Sequence, residues 1–248
     1  MQENILHELV ESVQDIPDSP VTGSVCGRYM VGIKGQKAGL ATRIGHKGPY
    51  PAPLTTEGLP DTLHGMVWLL TAPEKELPHP EARVFGIAAL NALLPIPDGV
   101  EESKGQDMIV KHAIGQRVVV VGHFPFVEKI GQKNGGFASF HTLELVPRPG
   151  DLSTDYAEDM IPRAGFVAIT GTTLLNGTLA GLLEFCRPST HVMLLGPSVP
   201  FSPILLDMGL SSLAGCEITN AELAFAGIKK GLPFKDIAGT RSIIWKES

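Results

Sequence analysis

Hydrophobic positions along this chain mark helices and strands that are segregated in its first part and alternate in its second. Ile5, Leu6, Leu9 and Val13 fall on one face at helical spacing, which predicts a helix over residues 2–15 that stops before Pro17. The segments "SVCGRYMVGIKG" (24–35) and "AGLATRIG" (38–45) read as an antiparallel strand pair whose connection holds Gly35 and Gly39. Residues 46–60 carry four prolines and read as loop. Two helices are expected next, in "DTLHGMVWLLTAP" (61–73), capped by Asp61 or Thr62, and in "PEARVFGIAALNALLP" (80–95). Strands followed by helices predict an α+β unit.

After residues 95–107, a polar, Pro- and Gly-rich stretch that reads as an inter-domain hinge, the pattern alternates. Strands are expected at "RVVVVG" (117–122), "FHTLELV" (140–146), "FVAITG" (166–171), "HVMLLG" (191–196) and "SLAGCEIT" (212–219). Helical segments lie between them, at 107–116 before the first strand and then at 126–132, 156–162, 175–186 and 202–209, and "AELAFAGIKKG" follows the last. Strands separated by helices make βαβ units, hence a parallel sheet with right-handed crossovers and a Rossmann-like second domain. Four consecutive valines, 118–121, bounded by turn formers predict a strand buried on both faces. The expected fold class is α/β, with one domain over 1–100 and a second over 101–248.

Parallel strands place their carboxyl ends along one edge, and four of these ends carry turn chemistry: "GHFPF" (122–126), "ELVPRPGD" (144–151), "TGTTLLNGT" (170–178) and "LGPSVP" (195–200). A crevice for a small ligand follows. Its candidate residues are Gly122, His123 as acid/base or ligand contact, Pro125, and Glu144 as a hydrogen-bond acceptor near where dinucleotide-binding folds keep a ribose carboxylate. Thr170, Gly171, Thr172, Thr173 and Asn176 form an expected anion-binding cluster at a helix N-terminus, and Gly196 and Ser198 complete the edge. Plainer readings stand beside these: a threonine or Ser198 that only caps a helix, and a histidine that only fixes a turn.

Composition narrows the function classes. With 43% hydrophobic residues and a net charge of -6, the chain has ample core and no Lys/Arg cluster, so nucleic acid is not an expected partner. The polar N-terminus and the lack of any run approaching 18 apolar residues point to a cytoplasmic protein without membrane partners. Cys26, Cys186 and Cys216 stand far apart and read as reduced thiols. No P-loop, G-x-S-x-G or H-E-x-x-H motif is present. The stretch "GHFPFV" departs from G-x-G-x-x-G, because Phe124 and Phe126 stand where backbone must approach a pyrophosphate. No Cys or His residues pair at metal-ligand spacing.

A glycine-rich strand pair, the "GIAALNALLP" helix, then "VVVVGHFPF", "TGTTLLNGT" and "LGPSVP" in this order resemble the family once called domain of unknown function 364, now labelled putative heavy-metal chelation. The resemblance spans nearly the whole chain. It implies an enolase N-terminal-like domain packed on the Rossmann-like one, with a site in the cleft between them. It also implies that "AGLATRIG" contributes to that cleft, which adds Leu40, Ala41, Thr42 and Arg43, the last able to neutralise an anion. The label suggests a transition-metal ion or a metal chelate as ligand, yet soft metals need thiol or imidazole donors that no motif here supplies. Handling of an organic chelator or its metal complex is the version that the residues favour. Use of a nucleotide-like cofactor such as S-adenosylmethionine and a non-catalytic sensor module remain alternatives, and a homo-oligomer is left open.

Overall fold

Helix α1 (Gln2–Glu11) ends short of residue 15 because Ser12 Oγ donates to Leu9 O at 2.8 Å and the next amides close tighter turns, Gln14 N to Glu11 O at 3.1 Å. Ile5, Leu9 and Val13 are buried as their spacing predicts. In this computed structural model, residues 2–44, 55–132 and 136–246 are described. The expected strand pair is a three-stranded antiparallel meander of β1 (Gly23–Cys26), β2 (Met30–Lys34) and β3 (Ala38–Thr42), because Gly27 N bonds Met30 O at 2.8 Å and turns the chain inside the first segment. Gly45 and residues 46–54 of the expected strand end and loop lie outside the described residues.

Thr62, rather than Asp61, caps α2 (Leu63–Trp68), its Oγ1 accepting Gly65 N at 3.1 Å. Helix α3 (Ala82–Leu93) lies directly on the meander. A β-carbon at Gly39 would sit 2.1 Å from Ala88 O, so strand and helix approach this closely only with glycine there.

The remaining elements are β4 (Glu101–Glu102), α4 (Gly105–His112), β5 (Arg117–Val121), α5 (Val127–Gln132), β6 (Ser139–Glu144) and β7 (Leu152–Ser153). They continue with α6 (Ala157–Met160), β8 (Phe166–Thr170), α7 (Thr173–Asn176), α8 (Leu179–Glu184), β9 (His191–Leu195), α9 (Pro203–Asp207), β10 (Ser212–Ile218), α10 (Ala221–Lys229) and β11 (Thr240–Lys246). Their eight strands form one sheet in the order β4-β11-β10-β9-β8-β5-β6-β7, parallel from β10 to β7 and antiparallel at β11 and β4. The fold is thus mixed α/β with a parallel sheet. Three differences from the expectation stand out. Strand β11 closes the sheet, the segment read as a hinge supplies β4, with Glu101 opposite Ile244, and the helix expected over 175–186 divides at Gly177 (φ 77°) into α7 and α8.

The valines of β5 do what their run predicts. Val118 and Val120 join one buried cluster with Phe166 and Met193, while Val119 and Val121 join another with Val167 and Leu194. Each buried valine contributes about 1.5–3 kcal/mol relative to exposure. The second of these clusters also takes in Leu9 of α1 and Phe85 of α3, and a third joins Met30 and Leu40 to Ala224 and Ile228 of α10. The meander half and the sheet half therefore share buried side chains. Among the described residues no helix is long and apolar enough to cross a membrane.

Within the parallel strands, β5 lies between β6 and β8, so chain order runs outward from the middle in both directions. Connections leaving β5 and β8 diverge, which makes the carboxyl ends of these two strands the point where the strand order switches direction.

Candidate functional site

Gly122 follows β5 with φ 104°, and a β-carbon there would lie 3.0 Å from the Thr170 β-carbon, so the turn needs glycine. The turn delivers His123. Its backbone N donates to Glu144 Oε2 at 2.8 Å, while Leu145 N donates to Glu144 Oε1 at 2.8 Å, so this one carboxylate at the end of β6 fixes two loops. The His123 ring is fixed as well, with Nδ1 2.9 and 2.8 Å from Oδ1 and Oδ2 of Asp151, which also accepts Arg148 N at 3.0 Å. The two side chains are 7% and 3% exposed. An ionised carboxylate only accepts, so Nδ1 carries a proton toward Asp151, and a neutral ring would keep its acceptor pair on Nε2. Glu128 Oε1, on the first turn of α5, stands 4.0 Å from Nε2.

Asp151 is the residue that sequence reasoning passed over. It closes the "ELVPRPGD" segment, and the only local signal was an acid after a Pro-Arg-Pro-Gly turn.

The carboxyl ends of β5, β6, β8 and β9 bring Gly122, His123, Glu144, Thr170 and Gly196 together. The Phe124 ring spans two of them, 3.6 and 3.7 Å from where β-carbons would stand on Gly122 and Gly196, and stacks on Phe126 at 5.2 Å. Pro125 is exposed beside it. The threonine cluster mainly bonds within itself: Thr170 Oγ1 lies 3.0 Å from Thr172 Oγ1, and buried Thr173 donates to Thr170 O at 2.7 Å. Asn176 Oδ1 accepts from Thr178 Oγ1 at 2.7 Å, and Gly171 N extends the ladder to Leu195 O at 2.8 Å. With only the residues 173–176, α7 is too short to develop a strong dipole.

Residues 40–42 and Ser198 lie at the joint between the two halves, while Arg43 stays within the first. Thr42 N donates to the buried Ser198 Oγ at 2.8 Å, Asn91 Nδ2 donates to Leu40 O at 3.0 Å, and Leu40 and Ala41 are buried. Arg43 grips Glu81 with two bonds, Nε to Oε2 at 2.9 Å and Nη2 to Oε1 at 3.0 Å, and donates Nη1 to Gly27 O at 3.0 Å. Its charge is matched inside its own half.

Donors for a resident heavy metal are scarce. Among the described residues no group of three or more His, Cys, Asp or Glu side chains converges to hold an ion. Burial pushes the Cys186 thiol up to about 11 and, with help from the Glu217 charge, the Cys216 thiol up to about 12, and burial also raises Cys26. A thiol binds soft metal as thiolate, so none of the three is poised for it. His123 Nε2 and Glu128 offer two donors where a closed soft-metal site takes four. These residues do not fit a resident heavy metal.

Known proteins similar to this chain include two solved structures and one relative of uncharacterised function. A DUF364 protein of unknown function from Desulfitobacterium hafniense DCB-2 superposes with a TM-score of 0.80 at 25% identity, over 98% of this chain and 99% of that one. Another, PH1506 of Pyrococcus horikoshii, gives a TM-score of 0.77 at 17% identity over 100% of both chains, a likeness of fold. The uncharacterized protein MJ0500 of Methanocaldococcus jannaschii is 27% identical over 154 residues, which span 59% of each protein. Residues 104–245, from α4 through most of β11 and including the His123–Asp151 pair, match the family model DUF364, "Putative heavy-metal chelation", and the chain belongs to that family.

Proposed function

We propose that this protein handles a small metal-binding organic molecule, as the free chelator or as its metal complex, at the carboxyl edge of the parallel sheet. The observation that carries the reading is the His123 ring, held through Nδ1 by Asp151 at the carboxyl ends of β5 and β8, where a neutral ring would offer Nε2 as proton acceptor. Donor groups of a chelator bind metal after losing their protons. An imidazole fixed in one tautomer suits that step: the ligand's donor atom transfers its proton to Nε2 as its bond to the metal forms, and the reverse transfer accompanies release. Metal is cargo in this reading, its donors coming from the organic molecule, which agrees with the poor donor set of the chain. The family's description supports the metal side of the reading.

The test is native mass spectrometry of protein purified without chelators, followed by denaturing analysis of what is released and elemental analysis alongside. An organic compound released together with metal, and its loss in His123→Ala, is the expected result. A released nucleotide without metal would instead establish the cofactor-enzyme reading. Tight retention of a chelate with no change in its covalent structure or metal would make the protein a sensor. Protein that stays empty after incubation with nickel citrate and ferric citrate would sink the proposal.

A further inference from the structure

The His123 ring is nearly sealed from water, and so is the carboxylate that holds it. A ligand that gives a proton to Nε2 docks against that nitrogen and covers what remains of its exposure. The proton then needs a way out, because an imidazolium cannot accept a second one. Three carboxylates stand close to His123, and they differ in what they can do. Asp151 is buried and committed to Nδ1 and to the Arg148 amide. Glu144 accepts the backbone amides of His123 and Leu145, one with each oxygen. Glu128 alone of the three meets both the ring and the solvent, with Oε1 4.0 Å from Nε2 and its side chain 71% exposed. Helical side chains lean toward the helix N-terminus, and α5 begins at Val127, so Glu128 leans back toward the turn that carries His123.

We infer that Glu128 relays protons between Nε2 of His123 and water, a role that rests on the proton transfer proposed above. The bond between proton and ligand donor atom breaks, and its electron pair stays on the donor to bind the metal. The proton forms the Nε2–H bond of an imidazolium. An exposed side chain changes rotamer in nanoseconds or less, and such a rotation carries the Glu128 carboxylate from 4.0 Å to hydrogen-bonding distance. Glu128 takes the proton from Nε2, which leaves the ring neutral, and then releases it to water. A carboxylic acid is a stronger acid than an imidazolium, so the proton does not rest on the relay. Release of the ligand's metal runs the same steps in reverse.

The experiment reads the relay in the full chain without any ligand, so it stands or falls separately from the search for a chelator. NMR relaxation dispersion of the His123 Cε1–Hε1 resonance, at a pH where both ring forms are populated, gives the rate at which the ring gains and loses its proton. Glu128→Gln changes an exposed position and keeps the side-chain length. It is expected to slow this exchange about a hundredfold, the lower end of what a positioned acid or base contributes. Added formate, a small carboxylate in solution, should restore the rate of the variant in proportion to its concentration and leave the unaltered protein unchanged. A purely structural effect of the substitution would not respond to formate. Equal exchange rates in variant and unaltered protein, or a slowed rate that formate does not restore, would overturn the assignment.

Discussion

His123 and Asp151 meet across two loops that follow different strands, with Nδ1 2.8 Å from one carboxylate oxygen and 2.9 Å from the other. The contact ties the end of β5 to the start of β7 and sets which ring nitrogen holds the carboxylate.

Asp151→Asn is expected to keep the fold while disturbing the tautomer, since an amide can donate as well as accept. A charge-assisted hydrogen bond contributes about 1.5–3 kcal/mol, so ligand affinity should fall roughly tenfold or more. Long-range 1H–15N spectra of the neutral ring should show the proton on Nδ1 in the unaltered protein and a mixture in the variant. A ring already mixed in the unaltered protein would remove the dyad from the mechanism.

Gly122→Ala should destabilise by about 1–3 kcal/mol, because it combines a positive φ with the approach to Thr170. Gly115 has φ 73° with nothing within 4 Å of a β-carbon, so Gly115→Ala should lose less, about 1 kcal/mol. Urea unfolding of the two variants measures the difference, and equal losses would show that the Thr170 contact relaxes freely.

Arg43→Ala is expected to destabilise by about 3–5 kcal/mol, since it strands Glu81 at a largely buried pair. A double-mutant cycle with Glu81→Ala should show strong coupling in urea unfolding. Additive losses, together with lost chelate binding in Arg43→Ala, would instead give this arginine to the ligand.

His191 supplies a pH dependence. Burial against Phe166, at 4.7 Å between ring centroids, and the nearby His112 and Lys246 charges hold its pKa below the usual 6.5. The unfolded chain therefore takes up this proton first as pH falls. Stability from this group is present above pH 6.5 and is lost as pH drops from there through the depressed folded value. His79 is lowered too, burial outweighing the Glu81 charge, and acts in the same direction. Urea midpoints measured from about pH 7.5 down to about pH 5 should decline less in His191→Gln than in the unaltered protein.

The thiols should be silent in the folded state. With Cys186 up at about 11 and Cys216 at about 12, a disulfide reagent near pH 8 is expected to react slowly until denaturant is added. Rapid reaction of the native protein would reopen thiolate ligation of a soft metal.

Much of the architecture was legible because it is local. The two-faced burial of β5, β8 and β9 and the capping by Thr62 depend on residues close in sequence, and an unbroken apolar run or capping chemistry reports them directly. Strand β11 escaped notice although "SIIW" is apolar, because its place in the sheet comes from pairing with β10 and β4, which lie far away in sequence. The threonines looked like an anion cradle from composition alone, yet their hydroxyls turn inward to each other and to the Thr170 carbonyl.

The sequence by itself determined the class of the fold and the strand ends that could bear a site, because burial pattern and turn chemistry are written residue by residue. Only the tertiary structure decided the partners: Asp151 for His123, Glu81 for Arg43, Ser198 for Thr42. A charge or a hydrogen-bonding group acts over a few ångströms of space, and which groups come within that reach depends on how distant segments pack.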